Sequence, residues 1–400
     1  MIDKVLKFFH VNTQSIVLSL LVVGLFLPTS VGQWMRNEIF YFVILGAFLL
    51  LLFLIQKKVD KVQLGVAVLL NGLLLFYTAS AKNIENPPEM YRYYAILFLM
   101  MTLIFCLDLD IKNSRLDYSR WALNGISVIF ILWSLSAILH IELFTNFIIG
   151  PYQAFYDGLV QTMLSEGKPI NVFGTHSLAG FYLFIFATLH MLTFYVTRKY
   201  FNAVAASLFL IFLVATKSTT SYVYFIIGSG LFLLMLYLVN KKTFIIGLVV
   251  AAVLGVILSV KFDLFSVLKS NLFDKASNNG MGIRFREGGT IAVQIDRVMA
   301  NPFKGTGYRS IWETYYIDCG FTHFAQRLSL PGMILIYLSF FRFLKKHLNW
   351  LLASFLFTMF LLFEIGFANF FYFRTLFILP FIVFYISQLI AYNKEVKLEV

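Results

Sequence analysis

The chain has 400 residues, 60% of them hydrophobic and only 13% charged, with a mean hydropathy of +0.82. That balance excludes a soluble globular domain and places the chain among polytopic membrane proteins. The formal net charge of +12 is therefore read loop by loop, because membrane topology decides where charges go.

About twelve apolar runs are long enough to span a bilayer, at roughly 16–22 residues each. They centre near Leu20, Phe48, Leu70, Met100, Phe130, Leu183, Leu208, Ile227, Ala251, Ile336, Phe357 and Phe381. The first has no small-residue cleavage site after it, so it reads as a retained helix. Alternate connections are basic: Lys4 and Lys7, Lys57 to Lys61, Lys112 to Arg120, Arg198 and Lys199, Lys241 and Lys242, Arg342 to Lys346, Lys394 and Lys397. The intervening short ones hold only Arg36, Lys82, Arg92, Lys168, Lys217 and Arg374. Short basic loops stay in the cytoplasm, whereas long loops cross largely regardless of charge. The expected topology puts both termini inside a bacterial plasma membrane and Lys82–Arg92, 141–171 and 261–327 outside. Fold class and domain plan follow: one all-α transmembrane helical domain over 1–400, with a long, partly helical extracellular loop. No period of 20–50 residues marks a repeat. Cys106 and Cys319 fall on opposite sides in this topology, so no disulfide between them is expected.

The external segments hold the unusual polar residues. In 141–171, Gly150-Pro151 and Gly167-Lys168-Pro169 form turns. Asn171, Thr175, His176 and Ser177 open the next helix, as caps or as an anion-facing amide end. Lys217 sits in a tight hairpin, Thr216-Lys-Ser-Thr-Thr-Ser221. It either snorkels or binds phosphate. Arg284 and Arg286 are two residues apart after Gly280 and Gly282, so in extended backbone they point the same way. They are a phosphate clamp or a basic pair facing headgroups.

Thr290–Ala300 carries Ile291, Ile295, Val298 and Met299 at helical spacing, which predicts a short amphipathic helix with Gln294 and Arg297 on its wetter side. Asn301-Pro302 ends it, and Gly305-Thr-Gly-Tyr308 forms a tight turn. His323, Gln326 and Arg327 share one helix face. The imidazole suits a general base, or a hydrogen-bonded residue at the interface. Trp312, Tyr315 and Tyr316 offer aromatic faces for sugar or for packing. Asp108-Leu-Asp110 reads as a solvated helix end. No Walker loop, HExxH, GxSxG or CxxC sequence occurs, so a nucleotide-driven pump, zinc protease or redox role has no support.

The order of these elements resembles the bacterial O-antigen polymerase and O-antigen ligase superfamily (Wzy-type polymerases and their relatives). The resemblance covers roughly residues 170–345. It rests on Phe173-Gly-Thr-His-Ser-Leu-Ala-Gly180, Lys217-Ser218, Arg284 or Arg286, and Arg297-Val-Met-Ala-Asn-Pro-Phe-Lys-Gly-Thr-Gly-Tyr308. His323, leading into a helix with Gly332, completes it. It implies a metal-independent, cofactor-free glycosyltransferase on a scaffold similar to other multispan lipid-dependent enzymes. The donor is a polyprenyl pyrophosphate-linked oligosaccharide and the acceptor another lipid-linked unit. The resemblance puts the pyrophosphate-binding role on Lys217 and on Arg284 or Arg286, and the catalytic base on His323; Arg327, on the His323 face, is assigned to the substrate pyrophosphate beside them. Membrane lipids, a flippase and a chain-length regulator are the implied partners, with no nucleic acid. Lys217 stands where Arg is usual, Phe324 follows the His, and the His323–Gly332 spacing is shorter than in ligases. These departures favour polymerase over ligase. A flippase, the reading from another class, needs intramembrane cations that the span centres lack.

Overall fold

A computed structural model of the chain describes residues 13–27, 34–56, 58–81, 88–109, 116–142, 159–239, 284–309 and 319–398, with scattered positions between 241 and 256. The helices are α1 (Thr13–Phe26), α2 (Trp34–Gln56), α3 (Lys61–Ser80), α4 (Pro88–Phe105), α5 (Leu116–Ile138), α6 (Leu159–Ser165) and α7 (His176–Thr197). They continue as α8 (Tyr200–Ala215), α9 (Thr219–Leu238), α10 (Thr290–Ala300), α11 (Gly320–His347), α12 (Trp350–Glu364) and α13 (Phe373–Leu398). No strand occurs among the described residues, only an isolated bridge between Val59 and Leu107.

Seven of the described helices are long and apolar enough to cross a membrane, in α2, α3, α5, α7, α9, α11 and α13. α1, α8 and α12 are shorter apolar helices. Residues such as Leu50, Leu54, Val68 and Phe76 stay exposed, as a lipid-facing surface requires. The protein is an all-α, multi-pass membrane protein. Most of the run centred near Ala251 lies outside the described residues, as do 257–283 and 310–318. So do Lys261, Lys269, Lys275, Gly280, Gly282, Trp312, Tyr315, Tyr316 and Asp110.

The chain divides into two compact units. The first holds α1 to α4, α10 to α12 and α13 as far as Ala391; the second holds most of α5 and all of α6 to α9. In the second unit α7 packs along α8. His190 joins three helices there, with Nε2 2.7 Å from Ser127 Oγ and Nδ1 2.9 Å from Asn202 Oδ1. In the first unit α13 is buried on every side from Phe373 to Leu389. That fits its apolar sequence all round.

One end of the first unit is a charged latch. Asp60 caps α3 by accepting from Val62 and Gln63 amides at 3.0 and 3.1 Å. Its other oxygen lies 3.2 Å from Lys346 and 3.6 Å from Arg342, while Lys346 also reaches Asp108 at 3.4 Å. Asp108 is thus a helix-end ion pair. Burial works against ionisation of Asp60, but the Gln63 amide, Lys346 and Arg342 outweigh it and hold the carboxyl below its usual range. A depressed carboxylate stabilises the fold above its unfolded pKa, and that contribution disappears as pH falls through the folded value. Asp60→Asn should therefore lower thermal stability at neutral pH by about 1–2 kcal/mol. The deficit should shrink once pH drops below the ordinary value of 3.8. A deficit that persists unchanged in acid would rule out the ion pairs as its source.

Candidate functional site

The opposite end of the first unit holds His323, Arg327 and the Gly305–Tyr308 turn. It is organised by a break in α11. Ser329 stands at φ 69, ψ 168 inside the helix, and Pro331 follows. Pro331 has no N–H, so the Arg327 carbonyl four residues earlier loses its helical donor. The loop after α10 replaces what is lost. Gly307 N donates to Arg327 O at 3.0 Å, and Thr306 N to Gln326 O at 2.8 Å. Leu330 N, freed from Gln326, donates to Pro302 O at 2.8 Å.

That stitch explains the Asn-Pro-x-x-Gly-x-Gly phrase in steric terms. A Cβ at Gly305 would lie 2.2 Å from Arg327 O, and one at Gly307 2.3 Å from Leu74 O. Gly307 also has φ +64, a conformation that disfavours side chains. The loop is held from its other side by α3. Tyr308 N donates to Thr78 Oγ1 at 2.8 Å, Arg309 Nε to Thr78 O at 2.9 Å, and the Tyr77 hydroxyl to Phe303 O at 3.0 Å.

α10 packs on the start of α11. Its buried stripe is Ile291, Gln294 and Val298, whereas Ile295 and Met299 are exposed. Gln294 is thus not on the wetter side. Its amide oxygen accepts from the Thr322 hydroxyl, which fixes it inward.

His323 and Arg327 meet, as their spacing predicts, and both are buried. Arg327 Nε donates to His323 Nε2 at 2.8 Å. Its Nη1 donates to Gly307 O at 3.2 Å and Arg309 O at 3.3 Å. The guanidinium lies over the Tyr94 ring, 3.4 Å from the centroid, a cation–π stack. The imidazole and the Phe371 ring are perpendicular, with centroids 4.1 Å apart. Among the described residues no carboxylate pairs with Arg327. The nearby acid, Glu38, instead accepts from the Tyr93 hydroxyl at 2.9 Å.

No family model, curated protein or solved structure matches the chain.

Two further groups line this end of the unit. Arg374 donates to Leu25 O and Leu27 O at 2.8 and 2.5 Å and also bonds the Tyr372 hydroxyl, so it ties α13 to the end of α1. Glu364 accepts from Phe370 N at 3.1 Å and from the Tyr337 hydroxyl at 3.2 Å. Its carboxylate lies where a Gly320 side chain would begin, at the amide end of α11, a favourable place for a negative group. Sequence reasoning passed over Tyr93, Tyr94, Glu38, Glu364 and Phe371. Glu38 and Glu364 had a signal, as acids within apolar runs; the aromatics had none.

The remaining expected site residues lie outside α11. Arg284 is half-buried and Arg286 exposed, just ahead of α10 in the same unit. Lys217 belongs to the second unit, exposed, with φ 53 between α8 and α9. Beside it the Ser218 and Ser177 hydroxyls lie 3.1 Å apart, bringing the hairpin together with the start of α7. Thr175 caps α7 by accepting from Leu178 N at 3.2 Å, so the Gly-Thr-His-Ser phrase contains a working cap.

Proposed function

We propose that this protein is a polymerase of bacterial surface-polysaccharide repeat units, capsule or O-antigen. It would transfer glycan from a polyprenyl pyrophosphate carrier to a hydroxyl of another carrier-linked unit. The observation that supports this best is Arg327. It is a buried guanidinium whose contacts are an imidazole, two carbonyls and an aromatic face, all neutral. An uncompensated cation in a membrane protein is costly unless an anion meets it. The leaving pyrophosphate is such an anion, and it gains charge as the glycosidic bond to it breaks.

In the proposed reaction the acceptor oxygen bonds to the anomeric carbon and its proton passes to a phosphate oxygen of the leaving group. The carrier pyrophosphate departs with the bonding electron pair. Arg327, with Arg284 and Arg286 ahead of α10, would hold the phosphates. As His323 stands, its Nε2 lone pair faces Arg327, so a base role at that nitrogen requires this bond to be released. The proposal includes about twelve spans, a bacterial plasma membrane, cytoplasmic termini and the site on the outer face, where carrier-linked units are presented. A flippase and a chain-length regulator are the expected neighbours.

Carrier-linked saccharides in a deletion strain test this reading. With flippase and ligase intact, loss of a polymerase should leave single repeat units on the carrier. Long carrier-linked chains would instead place the protein with the ligases. Single units trapped on the inner leaflet would place it with the flippases.

A further inference from the structure

We propose that Arg327 locks His323 in one tautomer and so makes its Nδ1–H a hydrogen-bond donor for a phosphate oxygen of the carrier pyrophosphate. The inference rests on the reading above for the identity of the ligand; the tautomer rests on geometry alone. A guanidinium has donors and no acceptor. The ring nitrogen that faces Arg327 Nε at 2.8 Å must therefore present its lone pair. A ring that accepts at Nε2 is neutral and keeps its proton on Nδ1.

That Nδ1 is buried and has no hydrogen-bond partner among the described residues. His323 itself is 2% exposed. Buried donors are rarely left unmade, and each exception needs an explanation, a bound ligand among them. The surroundings keep the ring from turning. The Phe371 ring packs perpendicular to it with centroids 4.1 Å apart, the Tyr94 ring centroid lies 5.9 Å away, and Arg327 is itself pinned by Gly307 O, Arg309 O and the Tyr94 ring. The donor is thus aimed before any ligand arrives. With a full positive charge one hydrogen bond away, the matching acceptor is an anionic oxygen. Among the described residues none is supplied to it: Glu38 is taken by Tyr93, and Glu364 by Tyr337 and Phe370.

The role differs from that of a base. A base must offer a lone pair to the acceptor hydroxyl, whereas this ring offers a proton to the departing phosphate. Arg327 is then a positioning residue for His323 as well as a cation for the ligand.

The test uses purified full-length protein in phosphatidylcholine nanodiscs with ¹⁵N-labelled histidine. The chain has six histidines, and His323→Gln identifies the signal of His323. The expected free state has a protonated Nδ1 and a bare Nε2; inorganic pyrophosphate should then shift the Nδ1–H resonance. A proton found on Nε2 overturns the lock. Absence of any response to pyrophosphate overturns the ligand, as does a response only to phosphatidylglycerol in the bilayer.

Side-chain variants give a second arm. Asn places an amide N–H near the position of Nδ1, and Gln places its amide near Nε2. His323→Asn should bind inorganic pyrophosphate within about 3-fold of the wild type, and His323→Gln about 10-fold or more weakly, the loss of one charge-assisted bond. Equal losses overturn the donor role. If His323→Asn does not fold, because Arg327 Nε loses its acceptor, the wild-type spectrum still decides. None of these readouts needs polymer formation. A deletion strain without accumulated single units would remove the polymerase reading while leaving the tautomer lock standing.

Discussion

On the proposed polymerase reading, replacing His323 with alanine is expected to reduce polymer by at least about 100-fold, the range seen when a group acting at the reacting centre is deleted. Single units should accumulate on the carrier while the protein persists in the membrane. The truncation removes the Nδ1 donor and also leaves Arg327 Nε–H, buried one helical turn away, without an acceptor. Protein level in isolated membranes therefore has to be measured alongside product. His323→Gln is the companion variant, since its amide oxygen can take the Arg327 proton. Loss of polymer in both variants, with normal protein, puts the imidazole in the chemistry. Near-normal chain length in His323→Ala would remove it.

The largest effect on stability is expected at Gly307. A methyl group there would meet Leu74 O at 2.3 Å and Thr78 N at 2.4 Å, both backbone atoms that cannot turn aside. The positive φ adds its own cost. Gly307→Ala should cost more than about 3 kcal/mol and lower the yield of folded protein sharply. Gly288 is the internal control. It has φ +78 but nothing within 4 Å of a built Cβ, so Gly288→Ala should cost only about 1 kcal/mol of backbone strain. Melting curves in one detergent compare the two. Equal shifts would mean that the fit of the loop between α3 and α11 is unimportant.

These two residues also show what sequence reasoning reaches. The i, i+4 spacing of His323 and Arg327 fixes their meeting, because helix geometry alone sets it. The Thr290–Ala300 helix appears with the expected ends, since Pro302 forbids continuation and the apolar spacing is helical. The apolar runs show a membrane protein without further help. The Tyr94 stack, the Glu38–Tyr93 bond and the Phe371 contact are different. They join residues at least 48 positions apart, and no local pattern relates them. The inward Gln294 was missed because an amide on an amphipathic helix reads as wet until its partner, Thr322, is known. Pro331 was readable but its consequence was not. A missing N–H says that a carbonyl is orphaned, but nothing local says which loop will answer it.

The manner of that answer limits how the chain can vary. Pro302, Thr306 and Gly307 are tied by single backbone bonds to Leu330, Gln326 and Arg327, so the stretch between works as a fixed ruler laid across a bent helix. One residue more or fewer would move Gly305 and Gly307 off the places where side chains cannot fit. The carbonyl freed by Pro331 would then face an amide out of step. Insertions, epitope tags and grafted loops belong before Asn301 or after Arg309. Within the ruler, even a residue of ideal composition would straighten or unseat the segment that carries His323.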